Sequence, residues 1–75
     1  MNLNELLKEI FNLSEVDLND AARLMSFQEW DSMTHMLFIT RLEEDYEINL
    51  DGNEIASMET IGDIKKILAS KGKIA

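Results

Sequence analysis

A chain with neither proline nor cysteine has no rigid ring to interrupt its helices and no covalent staple to hold a loop-rich fold, and this sequence contains neither. Only three glycines occur, at Gly52, Gly62 and Gly72. At 75 residues, a folded chain buries only about 60% of the surface its unfolded form exposes, so its core must be simple and efficient. Without cysteine there are no thiolate metal ligands, and one histidine, His35, is too few for a multi-histidine zinc cluster. Stability must come from packing apolar helix faces together, or from oligomerisation or a partner.

The apolar spacing supports this. Leu3, Leu6, Leu7, Ile10 and Phe11 recur at helical intervals, predicting an amphipathic helix over Leu3 to Leu13 with Asn2 or Asn4 as its cap. Ser14 to Trp30 shows no sustained period. It reads as a long ordered loop pinned by Val16, Leu18, Leu24, Met25 and Phe27, with room for a short helix of its own. A second helix is predicted from Ser32 to about Tyr46, with Asp31 and Ser32 able to supply the cap. Asp51-Gly52 signals a turn, after which Glu54 to Met58 forms about one helical turn. Thr60 and Asp63 have capping-box spacing for a last helix whose buried stripe is Ile61, Ile64, Ile67 and Leu68. Lys65, Lys66 and Lys71 would complement its dipole, and the closing KGKIA should fray. The expected fold is all-α: a small four-helix bundle of three main helices and a short third one, with a long loop between helices 1 and 2, forming one domain over residues 1–75.

Fifteen acidic residues against seven basic ones give a net charge of −8. Such a surface repels phosphate backbones, which argues against nucleic acid, and suits partners with a basic patch. No apolar run approaches the roughly 20 residues a membrane span needs. Met1 to Glu5 lack the basic start and apolar stretch of a signal peptide. A complete cytoplasmic chain is the expectation.

The second helix carries apolar residues on two sides. Phe38, Ile39, Leu42 and Tyr46 share one sector, the natural core face. Met33, Leu37 and Thr40 cluster opposite, with Glu44 in line and Met36 and Arg41 flanking. So few helices cannot cover both sides, so the Met-containing side should be partly exposed, an adaptable docking surface. Ser32 opens this helix. By itself a serine there is an ordinary cap, although its hydroxyl is also exposed and open to esterification near the positive end of the helix dipole.

The segment WDSMTHMLFITRLEEDYEINL resembles the acyl carrier protein family, whose motif is Asp-Ser-Leu at the start of the second helix; here it reads Asp31-Ser32-Met33. Leu42, Glu43, Glu44, Asp45 and Tyr46 are similar to the family's Leu-Glu-Glu-x-aromatic pattern, and ASMETIGDIKKIL to its third and fourth helices. The resemblance covers essentially the whole chain. It implies a free-standing, monomeric carrier on which a phosphopantetheinyl transferase attaches 4′-phosphopantetheine, taken from coenzyme A, to Ser32 beside Asp31. An acyl- or aminoacyl-loading enzyme and downstream acyl-processing enzymes would be the further partners, with the carrier itself no enzyme. Docking would fall to the second helix through Met33, Met36, Leu37, Arg41, Glu43 and Glu44, with Met58 beside them on the third. Many fatty-acid carriers have acidic residues where this chain has Thr34 and Leu37. That difference favours a dedicated carrier in secondary-metabolite, polysaccharide-modifying or amino-acid-activating chemistry. His35 falls on the core-ward side and reads as a partly buried packing residue.

Two other classes have weaker support. Aligning Gly52 with the glycine of a calcium-binding loop puts Glu47, Asn49 and Asp51 at the first, third and fifth ligand positions. Met58 then stands at the twelfth, where a bidentate glutamate is required. No metal site is therefore expected, and no nucleophile–base set is available with one histidine and no cysteine. A non-catalytic adaptor that docks through the Met33/Leu37 face is the remaining alternative; in it Ser32 would stay unmodified.

Overall fold

In the computed structural model, which describes residues 2–73, the chain forms four helices: α1 (Leu3–Phe11), α2 (Ser32–Tyr46), α3 (Gly52–Ala56) and α4 (Ile61–Ser70). The all-α bundle with three main helices and a short third one is thus what the sequence adopts. No strand occurs among the described residues, and no helix there is long and apolar enough to cross a membrane. The radius of gyration, 11.2 Å, matches the about 11 Å of a compact unit this long.

Each helix start is set by a side chain that satisfies otherwise orphaned N–H groups. Asn2, rather than Asn4, caps α1 by accepting the Glu5 N–H at 2.8 Å. Asp51 caps α3 and completes a reciprocal box with Glu54, so this helix starts two residues earlier than the Glu54 its sequence suggests and ends before Met58. Thr60 and Asp63 form the predicted box at α4. At the other ends, α1 stops at Phe11, short of Leu13, because Asn12 turns left-handed (φ 55°), a conformation asparagine tolerates. Gly72 at φ 77° lets the Lys73 N–H return to the Leu68 carbonyl at 2.9 Å, closing α4. Lys71 to Lys73 thus keep backbone bonds to the last turn of α4; Ile74 and Ala75, the rest of the segment expected to fray, lie outside the described residues.

The core joins Leu3, Leu6, Leu7 and Phe11 of α1 to Phe38, Ile39 and Leu42 of α2 and to Ile61, Ile64 and Leu68 of α4, with Leu24 and Met58 completing it. Ile67 and Tyr46 are only half-buried. Phe11 is its hub, with the Phe27 and Phe38 rings each 5.6 Å away and tilted, contacts worth about 0.5–1.5 kcal/mol each beyond area burial. None of the lysines expected to complement the α4 dipole lies in its last turn; Lys65 pairs with Asp20 at 2.7 Å, and Lys71, which caps the helix, pairs with Glu54 at 3.1 Å.

The long loop is held by backbone bonds to the α3–α4 connection and the start of α4. Leu24 N–H donates to the Glu59 carbonyl (2.9 Å), Ile61 N–H to that of Ala22 (3.1 Å) and Gly62 N–H to that of Asp20 (2.9 Å), with Arg23 and Thr60 bridged antiparallel. Short 3₁₀ turns form at Glu15–Asp17 and Leu24–Ser26. The expected pins divide. Leu24 is buried and Leu18 and Phe27 are half-buried, whereas Val16 and Met25 face solvent at 85% and 71% exposure. A loop supported by backbone bonds needs fewer side-chain anchors than its sequence suggests.

Candidate functional site

The most distinctive local geometry lies where the long loop becomes α2. Phe27 anchors the approach on the core, and its carbonyl accepts the Trp30 N–H at 3.1 Å. Asp31 is fully extended and serves as the cap. Its Oδ1 accepts from the Thr34 N–H at 2.7 Å and from the Thr34 hydroxyl at 2.8 Å. The Thr34 backbone N–H first, and its hydroxyl second, hold the Asp31 carboxyl below the ordinary carboxylate range.

With Asp31 as cap, Ser32 becomes the first residue of the helix instead of its cap. Its side chain is exposed, and among the described residues no group hydrogen-bonds its hydroxyl. The Thr34 N–H, one of those a phosphate at this helix end would meet, is already used by Asp31. The Ser32 side chain thus faces solvent next to the Asp31 carboxylate.

Beyond Ser32, α2 presents an apolar strip. Met33 is 84%, Met36 51% and Leu37 52% exposed, and Glu44 is exposed farther along the helix. The other docking candidates are used within the fold. Arg41 reaches Glu9 of α1 at 3.4 Å, and the Glu43 carboxylate accepts the Leu50 N–H at 2.8 Å, holding the α2–α3 connection. Met58 is a correction. It lies past the end of α3 at 5% exposure, turned inward because so short a helix leaves core that a following side chain must cover.

Two features escaped sequence reasoning. Met25, in the loop, is a further exposed apolar side chain, with no periodicity to signal it. The other is a hydrogen bond: His35 is half-buried, as expected, and it also accepts from Trp30 Nε1–H. Among the described residues no cluster of histidine, cysteine or carboxylate side chains is arranged to hold a metal. Asp51, the central ligand of the calcium alternative, uses its carboxylate to cap α3.

Fold and site together define a small helical domain that can present a surface to partners. Compared with known proteins, the chain matches no protein-family model and no curated protein.

Proposed function

We propose that this chain is a carrier protein, which bears 4′-phosphopantetheine on Ser32 and brings an acyl or aminoacyl group to partner enzymes. The observation that carries the reading is the division of labour at the start of α2: Asp31 does the capping, leaving Ser32 exposed with an unengaged hydroxyl. An ordinary N-terminal serine is retained for its cap bond, and Ser32 makes none. The resemblance of WDSM and LEEDY to acyl carrier proteins gives this free hydroxyl its chemistry.

In the loading step the Ser32 oxygen forms a bond to the pantetheine-side phosphorus of coenzyme A. The phosphoanhydride bond breaks, adenosine bisphosphate leaves, and the hydroxyl proton passes to a base of the transferase, whose magnesium serves the step. Once attached, the arm supplies a terminal thiol that holds cargo as a thioester, chemistry a chain without cysteine lacks. Asp31 keeps the new phosphodiester turned toward solvent by like-charge repulsion. Met33, Met36 and Leu37 offer adaptable contact, and the net charge of −8 speeds encounter with basic partners. The chain performs no catalysis itself; tethering raises the effective concentration of cargo at each docked enzyme. The neutral side chains Thr34 and Leu37 near Ser32 favour a dedicated biosynthetic carrier over a general fatty-acid carrier.

The test is the intact mass after incubation with coenzyme A, magnesium and a broad-specificity phosphopantetheinyl transferase, beside a Ser32→Ala control. A gain of one phosphopantetheinyl group in the wild type alone supports the carrier. No gain, with the transferase active on a control carrier, leaves the adaptor reading, which the exposed Met33/Leu37 strip favours independently.

A further inference from the structure

Trp30 and His35 flank Ser32 in sequence and meet in space. Trp30 Nε1–H donates to His35 Nδ1 at 3.2 Å. The two rings also lie edge to face with centroids 6.1 Å apart. Trp30 belongs to the loop, whereas His35 closes the first turn of α2, its own N–H donating to the Asp31 carbonyl at 2.9 Å. The pair thus spans the joint that carries Ser32. It also walls a cavity of about 240 Å³ together with Leu24, Met25 and Met58.

We propose that Trp30 and His35 form a proton-operated clasp, closed while the imidazole is neutral and open when Nδ1 takes a proton, and that the clasp sets the position of Ser32. An imidazole that accepts at Nδ1 must be neutral with its proton on Nε2, whereas an imidazolium has only donors. Protonation therefore sets two N–H groups against each other and removes the bond. Burial disfavours the charged ring and pushes the His35 pKa below its ordinary 6.5.

The other charged groups facing the pair do not override this. Arg23 of the loop and Glu59 of the α3–α4 connection line the same cavity and approach each other at 3.9 Å, so their charges offset. Asp31 is engaged by Thr34, and α3 contributes only Ala56. Because the folded pKa is depressed, the clasp's contribution to stability is complete above 6.5 and lost as pH falls through the lower folded value. One pH unit below its midpoint, about nine tenths of the rings carry the proton.

The consequence for loading rests on the carrier reading; the clasp itself does not. Trp30 is the only tryptophan, so indole emission from the unmodified chain comes from this residue alone. Emission and the His35 ring resonances would be followed from about pH 8 to about pH 5, beside His35→Gln, a polar side chain that gains no proton over this range. In the wild type both signals should share one midpoint below 6.5, with amide exchange at Ser32 to His35 accelerating over the same range. His35→Gln should stay flat. Unchanged emission while the ring titrates, or an equal transition in His35→Gln, overturns the clasp. Should the variant fail to fold, coincidence or divergence of the two wild-type titrations still decides. Transferase loading of the wild type relative to His35→Gln should fall on crossing the midpoint, and a constant ratio overturns the hold on Ser32. A wild type never loaded at any pH ends the carrier reading, leaving the clasp to be judged on its emission and ring titrations.

Discussion

Gly52 and Gly62 both lie at the start of a helix, yet alanine should act in opposite directions at the two. An added Cβ at Gly52 meets nothing within 4 Å. Gly52→Ala therefore gains the reduced backbone entropy of the unfolded chain, about 0.4–1 kcal/mol. In a domain of this size each kcal/mol moves the melting temperature by about 4–8 °C, so Tm should rise by about 2–8 °C. At Gly62 the same Cβ would stand 3.0 Å from the Asp20 carbonyl oxygen, an oxygen that also accepts the Gly62 N–H at 2.9 Å. Asp20 must give way, which weakens one of three backbone bonds tying the long loop to the α3–α4 connection and the start of α4. A bond of that kind contributes about 0.5–1.5 kcal/mol, enough to cancel or exceed the entropic gain. Gly62→Ala should thus leave Tm unchanged or lower it by several degrees, with faster amide exchange at residue 62. Melts followed by far-ultraviolet circular dichroism compare the two variants directly. A Gly62→Ala protein stabilised as much as Gly52→Ala would refute the close approach of loop and helix.

Two further predictions concern the docking strip and the α4 start. Replacing Met33 and Leu37 by Ser should change stability by no more than about 0.5 kcal/mol per site, because both side chains are largely solvated. The carrier reading expects the double variant to raise the transferase KM while sparing kcat, and steady-state kinetics showing an unchanged KM would count against docking there. Thr60→Ala should cost about 1 kcal/mol in urea denaturation by removing a cap, with Thr60→Ser restoring most of it. Its partner Asp63 has a pKa held below 3.8, chiefly by the Thr60 backbone N–H. The stability it contributes is therefore full above 3.8 and lost as pH falls through the lower folded value. Asp63→Asn should flatten that acid limb, and superimposable acid limbs would show the carboxylate to be uninvolved.

Local rules fixed much of this protein within the sequence. The Ser32 to Tyr46 helix, the Thr60–Asp63 box and the α1 stripe are legible because each depends on residues three or four apart, a spacing sequence displays directly. The exposed Met33 side of α2 was legible too, since two apolar faces cannot both be covered by so few helices. Tertiary contact decided the rest. Met58 is core and Met25 surface because a backbone bond from Leu24 to Glu59 sets how the loop lies against the α3–α4 connection, and that bond has no side-chain signature. Either Asp31 or Ser32 could have capped α2 by propensity; the observed backbone puts Asp31 at the cap, where its carboxylate bonds Thr34 and Ser32 is left free. The Trp30–His35 bond depends on the loop arriving at an angle that brings the indole onto the imidazole. Sequence determines spacing along one helix, whereas the direction from which a loop returns to it is decided by the core it must cover.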